Sequence, residues 1–134
     1  MKLFSIFLAF VFLYVSCNDQ SNGNAIDEKS LTKNFSGTFT GVIPCADCPG
    51  IELTVSFNPD SSFSELMIYQ ERNTSFKDSG LWIKDGEMLD VKYSNAQATP
   101  RYFLIKSDSS IAWLDADRKE IEGPHREQYV LKRK

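Results

Sequence analysis

The segment Ile51–Phe57 is the part of this sequence that most restricts how the chain can fold. It reads Ile-Glu-Leu-Thr-Val-Ser-Phe, a strict alternation of apolar and polar residues. Successive side chains of a β-strand point to opposite faces, so the alternation puts all the apolar side chains on one face. A helical period of 3.6 residues would scatter them around the axis. The segment is therefore predicted to be a strand with one face on a core.

Similar short segments recur along the chain and are separated by turn residues. Asn58-Pro59-Asp60-Ser61 and Asp85-Gly86 are typical turn sequences, and the second favours a tight hairpin. No segment shows a convincing helical period beyond a single turn near residues 29–33. Short strands at regular spacing favour a sandwich or an antiparallel barrel, so the predicted fold is all-β with about seven or eight strands. The predicted strands are 35–43, 51–57, 63–70, 75–84, 88–93, 101–106, 111–114 and 128–132.

These strands belong to a single domain, predicted to span residues 35–134. Ten Phe, five Tyr and two Trp supply enough apolar bulk for a core in a domain of this length. The net charge of the chain is -3. A mildly acidic chain lacks the basic stripe that nucleic-acid binding needs, so we expect no nucleic-acid partner.

The N-terminus has the composition of an export signal. Lys2 precedes an apolar run, Leu3–Val15, which ends at the small residue Ser16. A charged start followed by a short apolar run and a small residue is typical of a secretory signal peptide, predicted here for residues 1–16. The run is shorter than the roughly 20 apolar residues that a transmembrane helix needs.

Cys17 follows this run where a bacterial lipoprotein carries its modified cysteine. Leu13-Tyr14-Val15-Ser16-Cys17 resembles a lipobox, although Tyr14 stands at a usually aliphatic position. Cys17 is therefore the predicted lipidation site, carrying acyl chains such as palmitate that would anchor the protein to a membrane. Residues 17–34 are then the acylated cysteine and a flexible polar tether. With Cys17 assigned to lipid, the other two of three cysteines form a pair.

Cys45 and Cys48 are the remaining pair and lie three positions apart. Outside the cytoplasm such a pair is oxidised by default and would form a loop-stabilising disulfide. When reduced, its two thiolates are soft ligands suited to Cu(I) or Zn(II). Thioredoxin-like catalysis is disfavoured because Pro49-Gly50 and a strand follow the pair, where that chemistry needs a helix. A permanent disulfide and a metal-binding or redox-sensing pair both remain open.

Side chains outside the cysteine pair could supply further metal ligands. Zinc would need more than two cysteines, and the candidate additional ligands are His125, which is the only histidine, and Asp47. Gly123-Pro124-His125 is predicted to be an exposed turn. Met67 and Met88 are assigned to the core.

No catalytic arrangement emerges from the remaining residues. A single histidine and the lack of a nucleophile elbow leave no basis for a Ser-His-Asp triad. Asp115-Ala116-Asp117 with Glu120 lacks the glycine and the spacing of an EF-hand and is interpreted as a solvated turn. The chain is therefore predicted not to be an enzyme.

The cysteine segment and several later motifs together resemble one family. Gly41-Val42-Ile43-Pro44-Cys45-Ala46-Asp47-Cys48-Pro49-Gly50-Ile51 is similar to the signature of the NlpE family of outer-membrane lipoproteins, also labelled copper resistance or copper homeostasis. Weaker matches follow in the expected order: Pro59-Asp60-Ser61-Ser62-Phe63, Gly80-Leu81-Trp82, Met88-Leu89, Trp113-Leu114-Asp115, Ile121 and Tyr129-x-Leu131. The resemblance covers residues 35–133.

The resemblance implies a fold and a function. The fold would be a small antiparallel barrel similar to bacterial lipocalins. The protein would be lipid-anchored in the bacterial outer membrane, facing the periplasm or the cell surface. It would act in copper homeostasis or envelope-stress sensing, with a copper ion and an envelope signalling protein as partners. Two alternatives are a lipocalin-like module for a small apolar ligand and a purely structural lipoprotein whose disulfide stabilises a loop.

Overall fold

The computed structural model describes residues 35–134 as a closed eight-stranded antiparallel β-barrel. This confirms the predicted all-β barrel. The predicted signal peptide (1–16), lipidation site Cys17 and tether (17–34) lie outside the described residues. Within residues 35–134, no helix has the length and apolarity that crossing a membrane requires.

The strands follow the chain order without interruption, and one short 3-10 helix precedes the last of them. The elements are β1 Gly37–Ile43, β2 Ile51–Phe57, β3 Ser62–Tyr69, β4 Thr74–Asp85, β5 Met88–Tyr93, β6 Arg101–Ser107, β7 Ser110–Trp113, the 3-10 helix η1 Arg126–Tyr129, and β8 Val130–Arg133.

Each strand pairs with the next one in sequence, and the last returns to the first. Phe39 lies opposite Arg133, and Thr40 lies opposite Lys132. This closure leaves no unpaired sheet edge, which would otherwise be a template for aggregation. Because the strands run up and down, the β1–β2, β3–β4, β5–β6 and β7–β8 connections all lie at one end of the barrel, called the mouth here.

The predicted last strand begins too early. Residues 128 and 129 belong to η1, and β8 starts at Val130. Tyr129 packs edge-on against Trp113, with 6.1 Å between ring centroids. Residues 126–129 form a turn of 3-10 helix, so the extended form of the strand begins only after Tyr129.

An aromatic cluster fills the end of the barrel opposite the mouth. Phe57 is at its centre, with 5.2 Å between its ring centroid and that of Phe63 and 5.6 Å to that of Trp82. The indole N–H of Trp82 donates to the carbonyl oxygen of Asn58 at 3.0 Å, so its polar atom is satisfied. Gly80 allows β4 and β5 to approach closely, since a Cβ there would collide with the Lys92 carbonyl oxygen. The opposite end is therefore solid, and any accessible interior lies toward the mouth.

Candidate functional site

The Cys45–Cys48 pair lies on the β1–β2 connection at the mouth. The structure has the disulfide formed, with 2.05 Å between the sulfurs and 5.3 Å between the Cα atoms. Both cysteines are half-buried and pack against the core, whereas Ala46 and Asp47 between them are exposed. The pair is thus held by the barrel and remains within reach of solvent.

Contacts to the β3–β4 turn hold this loop in place. The guanidinium of Arg72 donates from Nη2 to the carbonyl oxygen of Asp47 at 2.8 Å and lies 2.7 Å from its carboxylate Oδ2. The backbone N–H of Gln70 donates to the carbonyl oxygen of Gly50 at 3.0 Å. Exposed ion pairs contribute about 0–1 kcal/mol each. The Arg72 contact therefore positions the loop more than it stabilises the protein.

Three side chains of the loop form a candidate metal-ligand group. The ligand atoms of Cys45, Asp47 and Cys48 all lie within 4.8 Å of one another. The Cys45 sulfur is 3.6 Å from Asp47 Oδ1, and the Cys48 sulfur is 3.3 Å from the Gly50 carbonyl oxygen. Oxidised sulfurs have no thiolate charge to offer a metal. Reduction would therefore place two thiolates and a carboxylate side by side.

The other side chains considered as ligands lie elsewhere. His125 is exposed on the turn before η1 and is not a member of the Cys45, Asp47 and Cys48 group. Met67 lies beside Arg101, with 3.9 Å between its sulfur and Nη2. Met88 is half-buried at the start of β5. Asp115 Oδ1 accepts hydrogen bonds from the backbone N–H groups of Asp117 and Lys119, an arrangement typical of a turn.

A buried polar cluster that the sequence analysis did not identify lies inside the barrel near the mouth. Glu65 is only 3% exposed. Its Oε2 accepts a hydrogen bond from the Tyr93 hydroxyl at 2.8 Å and lies 3.0 Å from Nη1 of Arg101. The guanidinium carbon of Arg101 is 4.1 Å from the Trp113 ring centroid, a cation–π contact. The available signal was strand alternation, which places Glu65 on the core face of β3 between Phe63 and Met67.

Burial controls the ionisation of this cluster. Loss of water around Glu65 raises the pKa of its carboxyl, while the nearby Arg101 charge and the Tyr93 hydrogen bond oppose that rise. Asp78, directly opposite on β4, adds a smaller increase in the same pKa by repulsion. Burial also raises the pKa of Tyr93, so its hydroxyl remains a donor. Glu65 is thus a carboxylate whose charge is costly inside the barrel.

The raised pKa predicts how stability depends on pH. The folded state retains the Glu65 proton above the carboxyl's ordinary pKa of 4.5, at which the unfolded chain loses it. The Glu65 contribution to the free energy of unfolding is thus complete below that value and is lost as pH rises through the folded pKa. In urea titrations across the acidic range, we expect the free energy of unfolding of the parent, relative to that of Glu65→Gln, to decrease as pH rises. Exposed Glu122→Gln is the control, and a pH-independent difference for Glu65→Gln would contradict the assignment.

Comparison with known proteins places the barrel in a family. The family description of the NlpE N-terminal domain matches residues 39–124, most of the described barrel. The chain belongs to the NlpE N-terminal domain family. The resemblance predicted from the cysteine segment is thereby confirmed.

Two relatives within this family are named lipoproteins. Lipoprotein NlpE of Escherichia coli (strain K12) is 26% identical over 118 residues, covering 84% of this chain and 49% of the relative. The chain therefore spans about half the length of that protein. The 17 kDa lipoprotein of Treponema pallidum (strain Nichols) is 37% identical over 115 residues, covering 78% of this chain and 74% of the relative.

Solved structures of the same type share the barrel. A Shewanella oneidensis protein described as a lipoprotein superimposes with a TM-score of 0.63 at 29% identity, covering 81% of this chain and 94% of that one. The Cpx pathway activator NlpE of Escherichia coli superimposes with a TM-score of 0.58 at 28% identity, covering 66% of this chain and 47% of that one. The Shewanella chain consists almost entirely of the matched region, so we expect residues 35–134 to fold independently.

Proposed function

We propose that this protein is a non-enzymatic NlpE-type lipoprotein of the bacterial outer membrane that responds to copper through Cys45 and Cys48. The observation that supports this function most directly is the grouping of the two sulfurs and the Asp47 carboxylate on a solvent-accessible loop. Acyl chains on Cys17 would hold the barrel at the membrane through residues 18–34. The copper ligand follows the copper label of the family that the cysteine segment resembles. The signalling role is supported by the description of Escherichia coli NlpE as a Cpx pathway activator.

The proposed chemistry begins with reduction of the disulfide. A dithiol reductant supplies two electrons and two protons, and it becomes a disulfide as Cys45 and Cys48 become thiols. The reduced Cys45 and Cys48 sulfurs would then hold Cu(I), and the two thiol protons would be released to solvent. Two thiolates are soft ligands of the kind that Cu(I) prefers. Zn(II) would use Asp47 as a third ligand and still need a fourth.

Metal binding would also affect the contacts that hold the loop. Asp47 Oδ2 is paired with Arg72 at 2.7 Å. A metal that draws this carboxylate toward the sulfurs competes with the guanidinium for it. Loss of this pair would loosen the tip of the β1–β2 connection from the β3–β4 turn, while the hydrogen bond from the Gln70 N–H to the Gly50 carbonyl holds its base. The altered tip is the surface proposed to contact an envelope signalling protein. Capture of a metal that takes Asp47 as a ligand would in this way be linked to signalling.

A Cu(I) titration tests the proposed site. The barrel, residues 35–134, is reduced with dithiothreitol, freed of reductant under nitrogen and titrated against a chromogenic Cu(I) chelator. We expect one Cu(I) to be retained by the parent and at least a tenfold loss of affinity, about 1.4 kcal/mol, in Cys45→Ser/Cys48→Ser. His125→Ala is the matched control and should bind like the parent, because His125 lies outside the ligand group.

Equal Cu(I) binding by the parent and the double serine variant would overturn the copper function. A structural role for the disulfide is the second candidate, favoured by the contacts of the loop with the core. Thiol labelling of the protein in intact cells separates the two roles. A fully oxidised pair that resists labelling supports the structural role, whereas a mixed redox state supports sensing.

A further inference from the structure

A cavity of about 680 Å³ lies at the mouth of the barrel. Its volume is within the range of small-molecule sites, roughly 300–1,000 Å³. The wall is mainly apolar and aromatic, and Arg101 is the only basic residue of the lining. Wall residues used below are Ile43, Met67, Tyr69, Tyr93, Trp113 and Tyr129.

The aromatic cluster limits how deep a bound molecule can reach. Phe63, whose ring centroid is 5.9 Å from that of Tyr93, belongs to the solid part of the core and is 1% exposed. The cavity lies above it, on the side of Tyr93 and Arg101. A ligand would therefore place its inner end at the Arg101 guanidinium and its outer end near Tyr69 and Tyr129.

Arg101 retains hydrogen-bonding capacity that the protein does not use. A guanidinium has five N–H donors. Nη1 is buried and ion-paired with Glu65 Oε2 at 3.0 Å, without the geometry of a hydrogen bond. Nη2 has only the weak contact with the Met67 sulfur at 3.9 Å. The guanidinium lies over the Trp113 ring and the Arg101 side chain is 18% exposed, so an anion in the cavity can reach it.

The charges around the cavity decide the sign of the ligand. Asp115 is occupied by its own turn through two backbone hydrogen bonds of 2.9 Å. Asp78 is exposed. The face of Trp113, which would otherwise suit a cationic ligand, is already covered by Arg101. The lining therefore holds one cation, Arg101, which is ion-paired with Glu65 through Nη1 and whose Nη2 makes only the weak contact with Met67.

We propose that the mouth cavity binds a small amphipathic carboxylate, whose head pairs with Arg101 and whose apolar chain lies against the aromatic wall. Arginine and carboxylate match in bidentate geometry, and the pair is strengthened where water is excluded. The apolar chain would contact Ile43, Tyr69 and Tyr129 on its way to solvent. This function is separate from metal capture by the cysteines.

Glu65 is compatible with a second carboxylate beside Arg101. Its raised pKa means that it accepts a proton more readily than an exposed glutamate. When the ligand head pairs with Arg101, a protonated Glu65 avoids two negative charges at one guanidinium. Proton uptake on binding follows, so affinity for the carboxylate should fall as pH rises through the pKa of Glu65.

The test uses isothermal titration calorimetry of the barrel, residues 35–134, with three probes that share a ten-carbon chain. Each probe is kept below its critical micelle concentration. Decanoate is expected to bind about tenfold or more tightly than decanol, and decyltrimethylammonium more weakly than both. Arg101→Met/Glu65→Gln removes both partners and should bind decanoate and decanol alike. Lys92→Met, an exposed cation on the outside of β5, should retain the parent's preference.

Several results would overturn the proposal. These are equal affinity of the parent for decanoate and decanol, tightest binding of decyltrimethylammonium, or no binding of any probe. A preference for decanoate that persists in Arg101→Met/Glu65→Gln would place the anion site elsewhere. Cys45→Ser/Cys48→Ser should bind decanoate normally, so failure of the copper proposal and failure of this one are distinguishable.

Discussion

Phe57→Ala is expected to lower the free energy of unfolding by about 3–5 kcal/mol, the usual cost of removing a fully buried phenylalanine. The ring is 1% exposed and is surrounded by other aromatic side chains. Its centroid lies 5.6 Å from that of Phe103 and 5.7 Å from that of Phe35. Truncation would leave a cavity whose walls come from several strands, and a closed barrel has little freedom to collapse into it.

Urea unfolding of residues 35–134, followed by tryptophan fluorescence, measures this effect. Phe76→Ala is the matched control, since Phe76 is 51% exposed on β4 and carries the same chemical change. We expect it to cost less than about 1 kcal/mol. Similar losses for the two variants would mean that Phe57 is not at the centre of the core.

Arg101→Met alone is expected to lower the free energy of unfolding by roughly 3–5 kcal/mol, because it leaves the Glu65 carboxyl buried without its charged partner. The double variant Arg101→Met/Glu65→Gln should recover most of that loss. A neutral amide at position 65 can still accept the Tyr93 hydroxyl hydrogen bond, which is 2.8 Å long in the parent. In this double-mutant cycle, the losses of unfolding free energy from Arg101→Met and Glu65→Gln are therefore expected to be strongly non-additive.

A surface arginine provides the control for this cycle. Arg118 pairs with Asp90 at 2.9 Å and lies over the Tyr102 ring, but its side chain is 49% exposed. Arg118→Met should cost less than about 1 kcal/mol. Additive effects of Arg101→Met and Glu65→Gln would show that the two side chains are not coupled. That result would also remove the basis for a neutral Glu65 during ligand binding.

The strands were largely predictable from local pattern. Period-two alternation is a property of neighbouring residues, and Ile51–Phe57 and Met88–Tyr93 have the predicted bounds. The choice between sandwich and barrel was not settled by that pattern, because it depends on whether the last strand reaches the first. The family resemblance pointed to the barrel, and the pairing of Phe39 with Arg133 closes it.

The cysteine loop and the buried polar cluster differ in how far the sequence alone predicts them. Cys45, Asp47 and Cys48 are neighbours in the chain, so their grouping follows from sequence distance alone. Glu65, Tyr93 and Arg101 come from three different strands, and nothing in their local sequence shows that they meet. A charged residue on a core face was the detectable signal, but its partner depends on register and barrel curvature.

The amino-acid order of this chain thus specifies which segments become strands, which side chains face inward and that two cysteines share one tight loop. These features depend on contacts within a few residues. The tertiary structure alone shows that β8 pairs with β1 and that Tyr129 of η1 packs against Trp113 at the mouth. It alone also shows that Arg101 lies between Glu65 and Trp113. These features depend on contacts between residues that are far apart in the chain. Their arrangement is selected by the packing of the whole barrel and not by local conformational preference.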